Sequence, residues 1–259
     1  MESTLIELAE EPGLWIPPDP SHDVIVGDGY SMVVSTTYAS VERIRLDVAD
    51  VPTAFETVRA IGRQHGVGRI TWWVGDRSTP GELAARLIEL GLEPDPNTPT
   101  LTSLTIDREP GGEPAMEGVT VRHVTSAADY LRAMEINWEV WDVPAGERQD
   151  RRRAKNAAWP ALADSDRSRH YLAELDGEPV GFARAIFTPH GALLMGGAVL
   201  PAARGHGVYT ALVHARWRDA VAFGAPRIVV SAGHMSAPIL ERLGFTRIGG
   251  VKLFVDRLA

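Results

Sequence analysis

The chain has 259 residues, 44% hydrophobic and 23% charged, a composition that supports a packed core in one large domain or two of ordinary size. It contains no cysteine, which excludes disulfides, thiolate metal sites and cysteine nucleophiles and suits a reducing cytoplasm. The net charge of −8 argues against a general nucleic-acid binder, no run approaches the length of a membrane span, and Met1-Glu2-Ser3-Thr4 does not open an export signal. The expectation is a cytoplasmic protein with no nucleic-acid and no membrane partner. Its acidic surface favours cationic partners such as amines.

Residues 1–22 carry Pro12, Pro17, Pro18 and Pro20 and are expected to form an irregular arm. Tyr30 to Thr36 and Val41 to Val48 alternate Val and Ile with polar residues, as strands do. Pro52 opens a helix to about Gln64 with Phe55, Val58 and Ile61 on one face. Arg69 to Gly75 is a strand whose Trp72 and Trp73 alternate faces, suiting a core and a domain interface. A second helix follows Ser78-Thr79-Pro80 and ends at Gly91, with Leu83, Leu87 and Leu90 at helical spacing. Thr100 to Ile106 closes the unit as a strand. Pro110-Gly111-Gly112-Glu113-Pro114 is the strongest linker signal, so the expected domains are residues 23–107 and 119–259, joined by 108–118.

After the linker come a strand (Val119 to His123), helices over Ala127 to Trp138 and about Glu147 to Leu162, and a hairpin of Tyr171 to Leu175 and Val180 to Phe187 around Asp176-Gly177. A strand ends at Leu200. A glycine turn, Arg204-Gly205-His206-Gly207, leads into a helix from Val208 to Phe223 that carries His214 and Arg216, both expected on its surface. A strand (Arg227 to Ser231), a helix (Ser236 to Leu243) and a last strand (Gly250 to Asp256) complete the chain. Arg69 to Gly75 followed by a helix ending Leu90-Gly91-Leu92 parallels Arg227 to Gly233 followed by Leu243-Gly244-Phe245, which points to an internal duplication. The first copy has Ala49-Asp50-Val51-Pro52 where the second has its glycines, so it is expected to be structural.

Two glycines between a strand and a helix let the backbone approach a ligand with its amides outward, and the helix N-terminus adds partial positive charge. The turn therefore suits a pyrophosphate, with Arg204 adding a charge-assisted contact.

With Val199-Leu200-Pro201 before it and Leu243-Gly244-Phe245 after it, this turn resembles the Arg/Gln-x-x-Gly-x-Gly/Ala loop of the GNAT superfamily of N-acetyltransferases. The duplication resembles that superfamily's tandem members. The resemblance implies an α/β (α+β) fold of two tandem acetyltransferase-like domains, the first a degenerate copy. Each would be a mixed, bent sheet flanked by helices, with two parallel strands splayed apart around acetyl-CoA in the second. It further implies that pantetheine pairs with the backbone near Ala198 and Val199, and that pyrophosphate rests on amides from Arg204 through Gly205, His206, Gly207 and Val208 to Tyr209. Acetyl-CoA is then a co-substrate, no metal is needed, and an amine attacks the thioester directly.

Three departures stand out. Tyr209 replaces the usual small residue, Met195 falls where many members carry a glutamate base, and Leu240 falls where many carry a tyrosine acid. Neither of the last two transfers protons. Ser231, His234 and Ser236 lie near the expected thiol end, and His234 is the most attractive because imidazole titrates near neutrality. The competing readings are a solvent-exposed loop histidine and, for Ser236, a helix cap. Trp138 and Trp141, beside Glu139 and Asp142, suit an acceptor wall for an amine or an inter-domain seal. Arg151-Arg152-Arg153 suits a solvated helix face, and no His, Asp and Glu set has convincing metal spacing.

The expected function is acetyl-CoA-dependent acetyl transfer to a primary amine of a small molecule, by a chain that could form a homodimer. The alternative is a catalytically degenerate acyl-CoA-binding or partner-binding protein. A dinucleotide-binding oxidoreductase ranks far below, because Thr210 stands where a third glycine is needed and the turn comes late in its domain.

Overall fold

The structure, a computed structural model, describes residues 2–18, 22–35, 38–113 and 116–258. Part of the expected arm (1 and 19–21), Thr36, the end of the linker motif at Pro114 and Ala259 lie outside the described residues.

In chain order the elements are α1 (Glu2–Glu10), β1 (His22–Gly27), β2 (Tyr30–Ser35), β3 (Ala39–Glu42), α2 (Val51–Gln64), β4 (Arg69–Gly75), α3 (Leu83–Glu89), β5 (Glu93–Pro94) and β6 (Thr100–Ile106). They continue with β7 (Val119–His123), α4 (Ala127–Val140), α5 (Ala145–Ala163), β8 (Ser168–Leu175), β9 (Glu178–Thr188) and β10 (Gly191–Val199). The last are α6 (Val208–Ala222), β11 (Ile228–Ala232), α7 (Ala237–Arg242) and β12 (Thr246–Arg257). The chain divides into two compact units: Met1–Leu104 with Ser231–Pro238 and Thr246–Ala259, and Thr105–Val230 with Ile239–Phe245.

In the first unit β1, β2 and β3 pair antiparallel in sequence, β3 pairs parallel with β4, and β12 pairs antiparallel with β4. Trp72, Ile70, Val41 and Met32 of this sheet are buried against Phe55 and Val58 of α2 and Leu83 and Leu87 of α3, a core built from the alternating faces of strands and one stripe of each helix. Trp73 is half-buried.

Two local expectations fail here. Residues 2–10 are helical, not irregular: Leu5, Leu8 and Ala9 recur at helical spacing and are buried, and the chain-breaking prolines begin only at Pro12. The strand expected over 41–48 stops at Glu42, because Arg43 adopts φ 50 and turns the chain out of register until a single bridge from Arg45 to Thr79. Past the end of β4 the carboxylate of Glu10, the last residue of α1, accepts the amides of Asp76 (2.8 Å) and Arg77 (3.3 Å).

In the second unit β7, β8, β9 and β10 form an antiparallel meander, and β10 pairs parallel with β11. The β8–β9 turn places Asp176 at φ 53 and Gly177 at φ 84, the left-handed pair that matches the twist of a two-residue hairpin. One face of the sheet packs Leu172, Phe182 and Ala198 against Tyr130, Ala133 and Trp138 of α4 and Ala158 and Leu162 of α5. The other face is covered by α6, anchored by Asp219, which accepts from Tyr171 (2.6 Å) and contacts His123 (2.7 Å) and Arg169 (3.2 Å). Burial pushes the Asp219 carboxyl up, but the bonds from Tyr171 and His123 outweigh it and hold it below its ordinary value.

Helix α6 is not the half-exposed helix expected from its sequence. Residues 211 to 217 are all buried, His214 and Arg216 among them. The sheet covers one side, and the segment at Gly111 and Gly112 approaches the other: His214 Nε2 lies 3.2 Å from the Gly111 carbonyl, and Gly111 donates to Leu243 (2.8 Å).

Candidate active site

Strands β10 and β11 pair only at Ala192–Ile228 and Leu193–Val229, although β10 runs on to Val199. Beyond Leu193 only the β9 side of β10 is paired, and that register shifts between Met195 and Ala198, where Gly196 takes φ 60. A bulge of this kind bends a strand and leaves backbone groups unpaired. Along β10 the burial reverses at the same place: Gly196 is exposed between buried stretches on both sides. The strand edge is thus open where a ligand's amides could pair with it.

Past Val199 a 3-10 turn over Pro201–Ala203 delivers the chain to Arg204, whose Nε donates to the Val199 carbonyl (3.3 Å). Gly205 (φ 84) and Gly207 (φ 74) hold left-handed conformations that disfavour any Cβ. A Cβ at Gly207 would also lie 2.4 Å from Met116 Cγ. Gly207 is the N-cap of α6 and no side chain caps that helix, so its first-turn amides face outward. An uncapped helix N-terminus beside an exposed arginine is chemically suited to a pyrophosphate. Of the loop residues, Arg204, Gly205 and His206 are exposed, Gly207 and Tyr209 half-buried and Val208 buried.

The structure brings Ala198, Val199 and residues 204–209 together in the second unit. Met195 is half-buried on β10, and Leu240 is fully buried on α7. Trp138 is buried in the α4 core, whereas Trp141 at the end of α4 is 59% exposed and can meet a ligand. Ser231, His234 and Ser236 belong to the first unit. There Ser231 donates to the Ala9 carbonyl (2.8 Å), Ser236 Oγ donates to the Gly233 carbonyl (3.3 Å) in the turn before α7, and His234 is exposed. Among the described residues no cluster of three or more His, Asp and Glu could hold a metal ion.

Two features were not anticipated. The Tyr209 ring lies over the bulge, its Cε2 3.1 Å from where a Cβ of Gly197 would be. Arg216, 1% exposed, donates from Nε to Leu212 (2.9 Å) and reaches the Gly196 carbonyl from Nη1 (3.5 Å), with the Tyr209 phenol close enough to act on its charge. Burial lowers the Arg216 pKa, and the neighbouring Tyr209 and Tyr171 oppose that. The signal was present in the sequence: Tyr209, Leu212 and Arg216 recur at the 3- and 4-residue spacing of one helix face.

Residues 130–245 match the family model described as "Acetyltransferase (GNAT) family". No curated protein matches the chain in sequence. Several solved structures share the fold over nearly the whole chain. A GCN5-related N-acetyltransferase from Kribbella flavida is 19% identical with a TM-score of 0.64, covering 91% of this chain and 90% of its own. A tandem GNAT protein from the clavulanic acid biosynthesis pathway is 14% identical with a TM-score of 0.60, covering 100% of this chain and 95% of its own. A functionally unknown conserved protein from Staphylococcus epidermidis is 12% identical with a TM-score of 0.65, covering 92% and 95%. The fold class is therefore the tandem GNAT arrangement that the glycine turn and the duplication suggested. Among the described residues no helix is long and apolar enough to cross a membrane.

Proposed function

We propose that the chain transfers an acetyl group from acetyl-CoA to a primary amine of a small molecule by direct attack. The observation that carries this reading is the parting of β10 from β11 after two residue pairs, with β10 leading straight into an uncapped, glycine-built helix N-terminus. The residues fit the co-substrate: the unpaired edge of β10 at Ala198 and Val199 takes the pantetheine amides, and residues 204–209 take the pyrophosphate. Acetyl-CoA supplies an activated thioester, and the protein supplies position, worth several orders of magnitude in rate for a direct displacement. Trp141 contributes an aromatic face to the acceptor side. The first unit is a degenerate copy that binds no acetyl-CoA.

The test is thiol release from acetyl-CoA against a panel of amines, with calorimetric titration of acetyl-CoA in parallel. Binding with amine-dependent thiol release supports the reading. Binding without transfer to any amine favours a catalytically degenerate acyl-CoA-binding protein, for which Met195 and Leu240 in place of ionisable groups speak.

A further inference from the structure

In the first unit β3 and β4 pair at Ala39–Ile70, Ser40–Thr71 and Val41–Trp72 and then part, meeting again at the single bridge from Arg45 to Thr79. The chain that follows each strand lines a cavity of about 350 Å³ with arginines: Arg43 and Arg45 after β3, and Arg77 after β4. The N-terminal segment adds Glu7 and Glu11, with Leu14 and Trp15 as an apolar wall. That volume lies at the small end of the range of ligand sites.

Two of the three cations have carboxylate partners. Arg45 Nη2 donates to Glu11 (2.6 Å), and Arg77 Nη1 pairs with Glu7 and donates to the Ser3 carbonyl (3.1 Å). Arg43 makes no hydrogen bond or ion pair among the described residues, although it acts on Glu11 through space. Burial pushes the Glu11 carboxyl up, and Arg45, Arg43 and Arg77 each pull against that. Three guanidinium groups thus converge on one carboxyl that is 5% exposed. With two carboxylates for three guanidinium groups, one positive charge is left over. Arg43 is also held at φ 50, a left-handed conformation that costs any residue with a Cβ. The backbone on both sides keeps it there: Gly13 and Ser40 hold Glu42, and the buried Ile44 accepts the Thr79 amide (3.1 Å).

We propose that this cavity of the first unit binds a small organic carboxylate carrying a flat apolar group. The carboxylate supplies the missing counter-charge, taken by the planar fork of Arg43 with Arg45 and Arg77 around it. The apolar group lies against Leu14 and Trp15. A single excess charge selects a carboxylate over a phosphate, which would bring further negative charge beside Glu7 and Glu11.

Calorimetry with benzoate as the probe tests the site. Wild type should bind one benzoate per chain with a dissociation constant of about a millimolar or tighter. Benzyl alcohol, which lacks the charge, should not bind. Arg43→Gly and Arg43→Asn remove the guanidinium with residues that accept φ 50, so both variants should fold, and the glycine should match or exceed wild type in urea. Each should weaken benzoate binding by roughly tenfold or more. Saturating acetyl-CoA should leave the benzoate affinity unchanged. Absence of benzoate binding, equal affinity in the folded Arg43 variants, or displacement by acetyl-CoA overturns the proposal. So does benzyl alcohol or inorganic phosphate binding as tightly as benzoate. Benzoate binding by a chain that takes no acetyl-CoA leaves this site standing and removes the acetyltransferase reading.

Discussion

Glu42 gives a quantitative test of how the first unit is sealed. It ends β3 fully buried, with Oε2 accepting the Gly13 amide (2.7 Å) and Oε1 accepting the Ser40 hydroxyl (2.9 Å). Burial pushes its carboxyl up, the two hydrogen bonds pull it down, and nearby Glu11 adds a like charge; the balance leaves it at about 7, against an ordinary 4.5. A carboxyl that holds its proton more tightly when folded stabilises the fold below its unfolded value and loses that contribution as pH rises through the folded one. At about 1.4 kcal/mol per pH unit, the native state loses roughly 2–3 kcal/mol between pH 5 and pH 8 through this one group. Glu42→Gln keeps the protonated shape, with its oxygen toward Gly13 and its amide nitrogen toward Ser40 Oγ. Urea denaturation at a series of pH values should show the variant gaining stability over wild type by that amount from pH 5 to pH 8, with Glu10, Glu11 and the other carboxyls present in both proteins. Stability curves that stay parallel across the range refute the assignment.

Replacing Gly205 and Gly207 together with valine should abolish acetyl-CoA binding in a folded protein, since both hold positive φ and Gly207 also faces Met116; unchanged affinity by calorimetry in a folded variant sinks the loop assignment. Calorimetric stoichiometry should be one acetyl-CoA per chain, because the glycine turn has no counterpart in the first copy and Glu10 already occupies the amides after β4; a value of two contradicts the degenerate copy.

Local pattern made most of the second unit legible. The Asp176-Gly177 turn, the Val119–His123 strand and the start of α6 at Val208 stand where turn chemistry and periodicity put them, because each is set by a few adjacent residues. The glycine turn was legible for the same reason: only glycine holds φ 84 and φ 74 without strain. What escaped were consequences of distant contacts. Nothing near Val41 foretells that Arg43 turns out of the strand, after which Arg45 bridges to Thr79 and pairs with Glu11 from more than thirty residues away. Helical spacing puts Arg216 on one face with Tyr209 and Leu212, but its burial was not legible, since an arginine on a helix normally keeps its head in water and here it reaches the β10 bulge instead.

The duplication ties these two surprises together. Ala39 pairs with Ile70 in the first unit as Ala192 pairs with Ile228 in the second, so three residues further along each strand Glu42 and Met195 hold corresponding positions. In the first unit that position carries a carboxyl, but Gly13 and Ser40 lock it away from any substrate. In the second it carries a thioether beside the bulge, which Arg216 of α6 reaches at the Gly196 carbonyl (3.5 Å). The same strand frame thus takes two outcomes according to what meets its C-terminal end: Gly13 and Ser40 hold the carboxyl in the first, and in the second a bulge leads into a glycine turn whose helix no side chain caps.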